Sequence, residues 1–274
     1  MSELVKYAIL DTDFVSKANI IKTDDRVLAD EVLAFPEYRF YCHHKMTEEL
    51  DDHGTNAAKA WLQGKMDSGE IICYNDRRII EELWAEIGAH CFSYYQSYLK
   101  NGCGIIGDEF YATYFTCIDE WIDSGKSDME EFLLLLQSCE AEIGHQKSYG
   151  EVKAFVLLQT IRYLYAKEAF MFCSDDRLAR QSFVNKALVP CISILSVFLK
   201  LWLMRKPYDD VQMFYQSFVD WCMNRKNPQT TVKVWVFRNG SYKREGVRIE
   251  NVLTDIYNGK YEARKDGDLQ LKKQ

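Results

Sequence analysis

The chain has 274 residues, of which 47% are apolar and 27% charged, and its formal net charge is −7. This length and composition allow a sizeable hydrophobic core and exclude an intrinsically disordered chain. The nine cysteines include no C-x-x-C pair, so zinc-ribbon chemistry has no support. Their odd number and the lack of a signal peptide predict a cytoplasmic protein.

Apolar runs with the character of strands recur along the chain and alternate with helical patterns. The predicted strands are Val5–Leu10, Tyr38–Cys42, Glu70–Tyr74, Ala169–Cys173 and Val189–Leu195. The predicted helices are Arg26–Phe35, Met46–Asp51, Asn56–Met66, Arg78–Leu99, Asp108–Ile122, Met129–Ile143 and Gly150–Tyr165. This alternation predicts an α/β fold with a central parallel sheet. Residues 76–144 are almost wholly helical, so we expect a helical insertion beside the sheet.

The longest apolar run of the chain is Cys191–Met204. The run is interrupted by Lys200 and is shorter than the roughly 18–20 residues of a membrane span, so a buried strand followed by a buried helix is expected. A further helix is predicted over Asp209–Asn224. We therefore expect one domain over residues 1–206 and a C-terminal module over residues 207–274.

The C-terminal module is predicted to contain a basic β-hairpin. Thr231–Arg238 alternates in the manner of a strand, and Asn239-Gly240 is a strong turn signal before a second strand over Ser241–Ile249. Residues 225–274 contain 12 Lys and Arg against 6 Asp and Glu, a local charge of +6, so the first 224 residues carry −13.

Basic and aromatic residues are interleaved on this hairpin, a pattern typical of nucleic-acid binding. Basic side chains can contact phosphates, and exposed aromatic rings can stack on bases. The basic candidates are Lys233, Arg238, Lys243, Arg244 and Arg248. In the alternative interpretation, Trp235 and Phe237 form the buried face of the hairpin. Deletion after Asn224 is expected to weaken RNA binding.

Paired acids follow two of the predicted strands. Asp11 and Asp13 follow the first strand in DTDFV, and Asp175 and Asp176 follow the fourth in SDDRLAR. Because the carboxyl ends of parallel strands meet at one edge of the sheet, these acids are expected to converge there. Like charges held close together repel unless a cation lies between them, and Mg²⁺ or Mn²⁺ prefers such oxygen ligands.

Two further acids stand at predicted helix starts, Glu49 in TEEL and Glu151 in GEVKA. Helix electrostatics alone account for an acid in a first turn, and Thr47 is expected to cap the first of these helices. Each acid therefore has a structural explanation as well as a functional one. His43 and His44 are not expected to share a metal ion, because adjacent residues of a strand point to opposite faces.

Taken together and in this order, DTDFV, TEEL, GEVKA and SDDRLAR resemble the motifs of the PIN-domain nucleases. The resemblance covers about residues 7–16, 38–51 and 148–194. It implies a PIN-like three-layer sandwich that cleaves RNA or, less often, DNA with Mg²⁺ or Mn²⁺. The implied catalytic and metal-binding residues are Asp11, Glu49, Glu151 and Asp175 or Asp176, with Ser174 and Asp13 supporting them.

This chain departs from the PIN pattern at the third acid, which is a glutamate where the family more often has an aspartate. The separation between Glu49 and Glu151 is also longer than in a minimal PIN domain. Glu142 and Asp108 therefore remain alternatives to Glu151.

The resemblance also concerns partners. It implies a nucleic acid substrate, RNA favoured over DNA, and no membrane partner. Many PIN nucleases are toxins held silent by an antitoxin, so an inhibitory protein partner is compatible with it, as is a homo-oligomer.

Two other functions fit parts of the pattern. DTD with a later DD also resembles the haloacid-dehalogenase-like phosphatases, in which Asp11 would be a nucleophile and Asp13 a general acid. That family continues with Gly-Thr, where this chain has Phe14-Val15. A PIN-like scaffold that only binds RNA or a protein is the second alternative.

Overall fold

Five parallel strands form the central sheet of the protein, for which a computed structural model describes residues 5–52, 55–107, 109–144, 148–165 and 169–273. The strands are β1 (Lys6–Leu10), β2 (Tyr38–His43), β3 (Ile71–Tyr74), β4 (Ala169–Cys173) and β5 (Cys191–Ile192), in the order β3-β2-β1-β4-β5. Each overlaps one of the apolar runs found in the sequence. The predicted α/β class with a central parallel sheet is confirmed.

Helices connect and cover these strands. They are α1 (Thr12–Ile20), α2 (Leu28–Leu33), α3 (Lys45–Asp52), α4 (Asn56–Asp67), α5 (Asp76–Ile87), α6 (Cys91–Ile106), α7 (Phe110–Tyr114), α8 (Thr116–Asp123), α9 (Met129–Ile143), α10 (Tyr149–Leu164), α11 (Arg177–Ser182), α12 (Ile194–Leu203), α13 (Tyr208–Met223) and α14 (Ile249–Tyr257). Among the described residues, no helix has the length and apolar character needed to cross a bilayer.

Some predicted helix boundaries differ from the structure for local reasons. The single helix predicted over Arg78–Leu99 is divided between α5 and α6 by a 3₁₀ turn at Gly88–His90, where Gly88 has a φ of +57° that favours glycine. The helix predicted over Asp108–Ile122 is interrupted at Phe115, between α7 and α8. Helix α11 continues into a π-helical turn, Phe183–Ala187.

Both faces of the sheet are buried, as a parallel sheet requires. On β1, Ala8 and Leu10 point into one hydrophobic cluster, which includes apolar side chains of α1–α4 and α12–α14. Tyr7 and Ile9 point into a second cluster on the opposite face, which includes side chains of α5–α10. The helical stretch predicted as an insertion thus covers one face of the sheet.

A second, four-stranded sheet lies in the C-terminal region. Its strands are β6 (Thr231–Arg238), β7 (Ser241–Arg248), β8 (Tyr261–Ala263) and β9 (Leu269–Leu271), in the order β7-β6-β9-β8. The predicted hairpin is present as β6 and β7, and the turn residues Asn239 and Gly240 both have positive φ. Helix α14 and strands β8 and β9 were not predicted from the sequence.

The C-terminal sheet shares a core with the rest of the protein. Val232 and Val234 are buried in the same hydrophobic cluster as the apolar side chains of α12 and α13. The domain boundary predicted between residues 206 and 207 falls between these two helices. Residues on both sides of that boundary therefore contribute to one continuous core.

Candidate active site

Four carboxylates from separate segments lie near one another at the carboxyl edge of the central sheet. Asp11 follows β1, Glu49 lies in α3, Glu151 is in the first turn of α10, and Asp176 precedes α11. Burial is the main cause of the raised pKa values of Asp11 and Glu151. The charge of Glu49 raises the pKa of Asp11 further, and the charges of Asp11, Asp176 and Glu49 do the same for Glu151. We call these four residues the acid cluster.

Asp11 is the most deeply buried member, with 8% of its surface exposed. Its Oδ2 accepts a hydrogen bond of 2.8 Å from Ser174 Oγ, and its side chain does not cap α1. Burial raises the pKa of Asp11 to about 7; the Ser174 hydroxyl opposes this shift, whereas Glu49 and Asp13 add to it. The Asp11 side chain is therefore not placed here to cap α1.

Glu49 is held in place by two other segments. Thr12 Oγ1 donates a hydrogen bond to Oε2, and the backbone N–H of Gly150 donates to Oε1 at 3.0 Å. A Cβ atom at position 150 would lie 2.7 Å from Glu49 Cδ, so the close approach requires a glycine. The expected cap by Thr47 is absent, because α3 begins at Lys45 and the Thr47 hydroxyl donates to the His44 carbonyl oxygen.

Glu151 faces the cluster from α10. Burial raises the pKa of Glu151 to about 8, and the charges of Asp11 and Asp176 add to this effect. The alternative acid Glu142 is exposed on α9, and the alternative Asp108 lies outside the described residues. Of the two described residues Glu142 and Glu151, it is therefore Glu151 that interacts electrostatically with the other acids.

The two acids of SDDRLAR have different surroundings. Asp175 accepts hydrogen bonds from Lys17 Nζ at 2.9 Å and from the backbone N–H of Ile194 at 3.2 Å. Asp176 caps α11 through Oδ1 and is the one that interacts with Glu151. Asp13 also pairs with Lys17, at 2.7 Å. Lys17 thus forms ion pairs with both Asp13 and Asp175, and it was not identified from the sequence.

A buried ionic network adjoins the acid cluster and was also missed. Lys153 of α10 is fully buried and forms ion pairs with Asp76, at 2.8 Å, and with Glu140. Burial alone would lower the pKa of Lys153, but the two carboxylates hold it well above its usual value. Asp76 follows β3, so the strand-end signal that identified Asp11 could also have identified it.

His43 connects this network to the acid cluster. The ring lies beside Asp11, Thr12 and Gly150 in a small cleft, and its Nε2 is 3.3 Å from Asp76 Oδ1. Its Nδ1 accepts from the backbone N–H of Lys45 at 3.1 Å. Because Nδ1 is an acceptor, Nε2 carries the hydrogen and faces the Asp76 carboxylate.

The basic candidates of the hairpin are divided between the two faces of the C-terminal sheet. Strand pairing places Lys233, Arg244 and Arg248 on the outer face, together with Trp235 and Phe237. Arg238 and Lys243 lie on the face that contains the buried Val232 and Val234, and Arg238 pairs with Glu245 at 2.8 Å. Trp235 and Phe237 therefore do not form the buried face.

The outer face is linked to the acid cluster through Arg180. This buried arginine donates to the Ser174 carbonyl oxygen at 3.0 Å and to Asp268 Oδ1 at 2.8 Å. Asp268 in turn accepts a hydrogen bond of 3.1 Å from Trp235 Nε1 and lies 3.4 Å from Arg244 Nε. A continuous set of polar contacts thus joins the segment before α11 to the outer face.

The carboxylate oxygens of the acid cluster are ligands of the kind that Mg²⁺ and Mn²⁺ bind. Over the part of the chain that the structure describes, no three His, Cys, Asp or Glu side chains are grouped closely enough to hold a metal ion. Mg²⁺, however, keeps several waters and often binds proteins through one or two carboxylates. All four members supply carboxylate oxygens, so the chemistry of the donors fits these ions.

Comparison with protein-family models, with curated proteins and with solved structures finds no match for this chain.

Proposed function

We propose that this protein is a metal-dependent nuclease, an endoribonuclease whose Mg²⁺ or Mn²⁺ binds at the acid cluster. The observation that carries the proposal is the convergence of Asp11, Glu49, Glu151 and Asp176, from four separate segments, at one sheet edge. A protein gains no stability from placing like charges together, so the arrangement calls for a positively charged ligand. The resemblance of the four motifs to PIN-domain nucleases supports the same interpretation.

The residues of the site would have distinct roles. Asp11 and Glu151 would bind the cation most directly, since their carboxyl groups gain most from a neutralising charge. Glu49 and Asp176 would lie beside the cation without having to bind it, each oriented by backbone N–H groups that donate to its carboxylate. A divalent cation in such a site can activate a water and stabilise the leaving oxygen of a phosphodiester. Ser174 would keep Asp11 in position through its hydroxyl group.

A polyanionic substrate needs positive charge near so acidic an edge. The outer face of the C-terminal sheet provides Lys233, Arg244 and Arg248. Burial lowers the pKa of Arg244, and the nearby charge of Arg177 lowers it further. Arg177 directly follows Asp176 in the sequence. We therefore propose that this face holds the substrate strand beside the acid cluster, with RNA favoured over DNA.

The test compares Asp11→Asn with Asp13→Asn in cleavage of a labelled single-stranded RNA with Mg²⁺ or Mn²⁺. We expect Asp11→Asn to abolish metal-dependent cleavage, and Asp13→Asn to retain it within about tenfold, because Asp13 is paired with Lys17 outside the cluster. Full activity in Asp11→Asn would exclude Asp11 from the reaction, and a wild-type protein that binds RNA without cutting it would favour a binding scaffold.

A second pair of variants separates the two acids of SDDRLAR. Asp176→Asn should reduce cleavage by about 100-fold, because the charge of Asp176 acts on Glu151 within the acid cluster. Asp175→Asn should reduce thermal stability more than activity, because its contacts are to Lys17 and to the start of α12. The reverse order of activities would show that the wrong acid has been assigned.

The phosphatase alternative makes a different prediction. It requires Asp13 to donate a proton, yet the Asp13 carboxylate forms an ion pair with Lys17. A phosphatase would hydrolyse small phosphate esters and form a covalent aspartyl phosphate that a metal fluoride mimics. Neither behaviour is expected of a nuclease.

A further inference from the structure

A large groove lies between the helical insertion and the two helices that carry Glu151 and Asp176. Its volume is about 730 Å³, and its walls come from α6, α7, α8, α10 and the π-helical turn after α11. Its lining includes Tyr98, Lys100, Asn101, Tyr111, Phe155, Gln159 and Lys186. We call it the insertion groove. Its size is within the range of small-molecule and cofactor sites.

The polar groups of the groove have few partners in the protein. Lys100 and Lys186 form no ion pair with any described residue; Lys100 lies over the Tyr111 ring at 5.3 Å, and Lys186 donates to the Gly104 carbonyl oxygen. The amides of Asn101 and Gln159 have no hydrogen-bond partner among the described residues. Two cations and two amides are therefore available to a ligand.

Three aromatic residues also line the groove. Tyr98 is half-buried, while Tyr111 and Phe155 are buried on one side of the groove. The groove contains one acid, Asp119, whose Oδ1 accepts from Tyr111 at 2.7 Å and from Gln96. Aromatic rings suit stacking on a flat base, the amides suit its hydrogen-bonding edge, and the lysines suit phosphate.

The groove and the acid cluster lie along the same pair of helices. Glu151, Phe155 and Gln159 are spaced four residues apart on α10, so they share one side of the helix and span about 12 Å of its axis. Opposite, Asp176 caps the start of α11, and Lys186 lies in the π-helical turn at its end. The Phe155 and Phe183 rings, 5.8 Å apart, pack the two helices together.

We infer that the insertion groove binds a nucleotide of the single-stranded RNA substrate, at a position neighbouring the phosphodiester that is cut. Its base stacks on the half-buried Tyr98 ring and is read by Asn101 and Gln159, while Lys100 and Lys186 contact flanking phosphates. This inference rests on the proposed function for the identity of the ligand. It assigns a role to the helical insertion, which forms three of the walls.

The experiment measures binding of a fluorescein-labelled single-stranded RNA of about ten nucleotides by anisotropy. The protein carries Asp11→Asn and EDTA is present, so the strand is not cut. Lys100→Ala combined with Lys186→Ala should weaken binding about tenfold and reduce the salt slope by about 1.4, since each lost single-strand phosphate contact removes about 0.7. Gln159→Ala should weaken binding without changing the salt slope.

Matched controls come from the same helical region. Lys126→Ala removes a lysine that is paired with Glu131 outside the groove, and Gln137→Ala removes an exposed amide on α9. Both should bind RNA as the parent does. Equal losses in control and groove variants, or no loss in the groove variants, would overturn the inference.

A second arm titrates the same protein with uridine and adenosine monophosphates. A strand subsite binds a single nucleotide far more weakly than the oligonucleotide, because most phosphate contacts are lost. A mononucleotide that binds as tightly as the oligonucleotide would overturn the inference and identify the groove as a site for a free nucleotide.

A 4-thiouridine RNA should form photo-crosslinks with peptides containing Tyr98 or Phe155, and crosslinks confined to other segments would contradict the assignment.

The two proposals fail in distinguishable ways. If the wild-type protein cuts RNA with metal and the groove variants bind and cut normally, the groove assignment alone is wrong. If the groove variants lose binding but no cleavage occurs in the wild type, the catalytic proposal alone is wrong.

Discussion

At the scale of single residues, the acid cluster makes the metal-free protein sensitive to pH. The pKa of Asp11 is raised to about 7 and that of Glu151 to about 8, mainly by burial and then by neighbouring carboxylates. At these two carboxyl groups the folded protein therefore binds more protons than the unfolded chain between about pH 4 and 8, and their contribution to the free energy of unfolding falls as the pH rises through this window.

The corresponding prediction concerns Asp11→Asn in EDTA. An asparagine keeps an acceptor for the Ser174 hydroxyl but has no charge, so the variant should unfold at higher urea concentration than the wild type at pH 8, by on the order of 2 kcal/mol. The difference should vanish near pH 4, where the wild-type carboxyl is protonated. Urea titrations across this range provide the measurement, and a difference independent of pH would contradict the prediction.

The residue scale also shows what the sequence could and could not predict. Acids after β1 and β4 were identifiable because strands have a local pattern and their carboxyl ends share an edge. The sequence did not show which of Asp175 and Asp176 belongs to the acid cluster, because this depends on Lys17, which is 158 residues from Asp175. The Lys153–Asp76 pair spans 77 residues, and in the sequence Lys153 is an ordinary residue of an amphipathic helix.

At the scale of elements, α10 joins three features of the protein. Glu151 belongs to the acid cluster, which Gly150 contacts through Glu49. Lys153 belongs to the buried ionic network, and Phe155 and Gln159 line the insertion groove. The pattern of a buried helix was predictable from its apolar residues. Strands β8 and β9 were not predictable, because each has only three residues and is stabilised by its pairing with neighbouring strands.

For α10, we predict that Lys153→Ala is strongly destabilising. It would leave Asp76 and Glu140 without their buried cation, and breaking a buried pair in this way costs about 3–5 kcal/mol. Lys126→Ala is the control, because a surface ion pair contributes about 0–1 kcal/mol. Urea denaturation of the two variants tests the difference, and similar midpoints would show that the network adds little.

For the C-terminal sheet, we predict that the two faces differ in RNA binding. Lys233→Glu with Arg248→Glu changes the outer face, and Arg238→Glu with Lys243→Glu makes the same charge change on the other face. The first pair should weaken binding and reduce the salt slope by about 1.4 or more, and the second should do so much less. Anisotropy against salt concentration measures both. Equal effects would mean that net charge, not the outer face, governs binding.

At the scale of the whole molecule, the C-terminal region is part of the fold and not a removable tail. Val232, Val234, Ile249 and Leu269 are buried in the cluster that also contains apolar side chains of α12 and α13. We therefore predict that truncation after Asn224 yields an insoluble protein or one without a cooperative thermal transition, because a large apolar surface is exposed. Circular dichroism melting tests this. A truncated protein that melts cooperatively near the wild-type temperature would show that the shared core contributes little. The face variants, not this deletion, are the suitable probe of RNA binding.

The contacts between the last strands and the central sheet also bear on the order of folding during synthesis. Strand β5 has only two residues, and the segment between β8 and β9 supports it. The backbone N–H of Cys191 donates to the Lys265 carbonyl oxygen, and the Ser193 hydroxyl donates to the Gly267 carbonyl oxygen. The Arg180 guanidinium likewise needs Asp266 and Asp268 to satisfy it. A ribosome-bound chain that has not yet exposed residues 264–271 thus lacks the support for β5 and for the segment after Ser174. We expect such a nascent chain to lack the proposed nuclease activity, which would arise only after this region has left the ribosome.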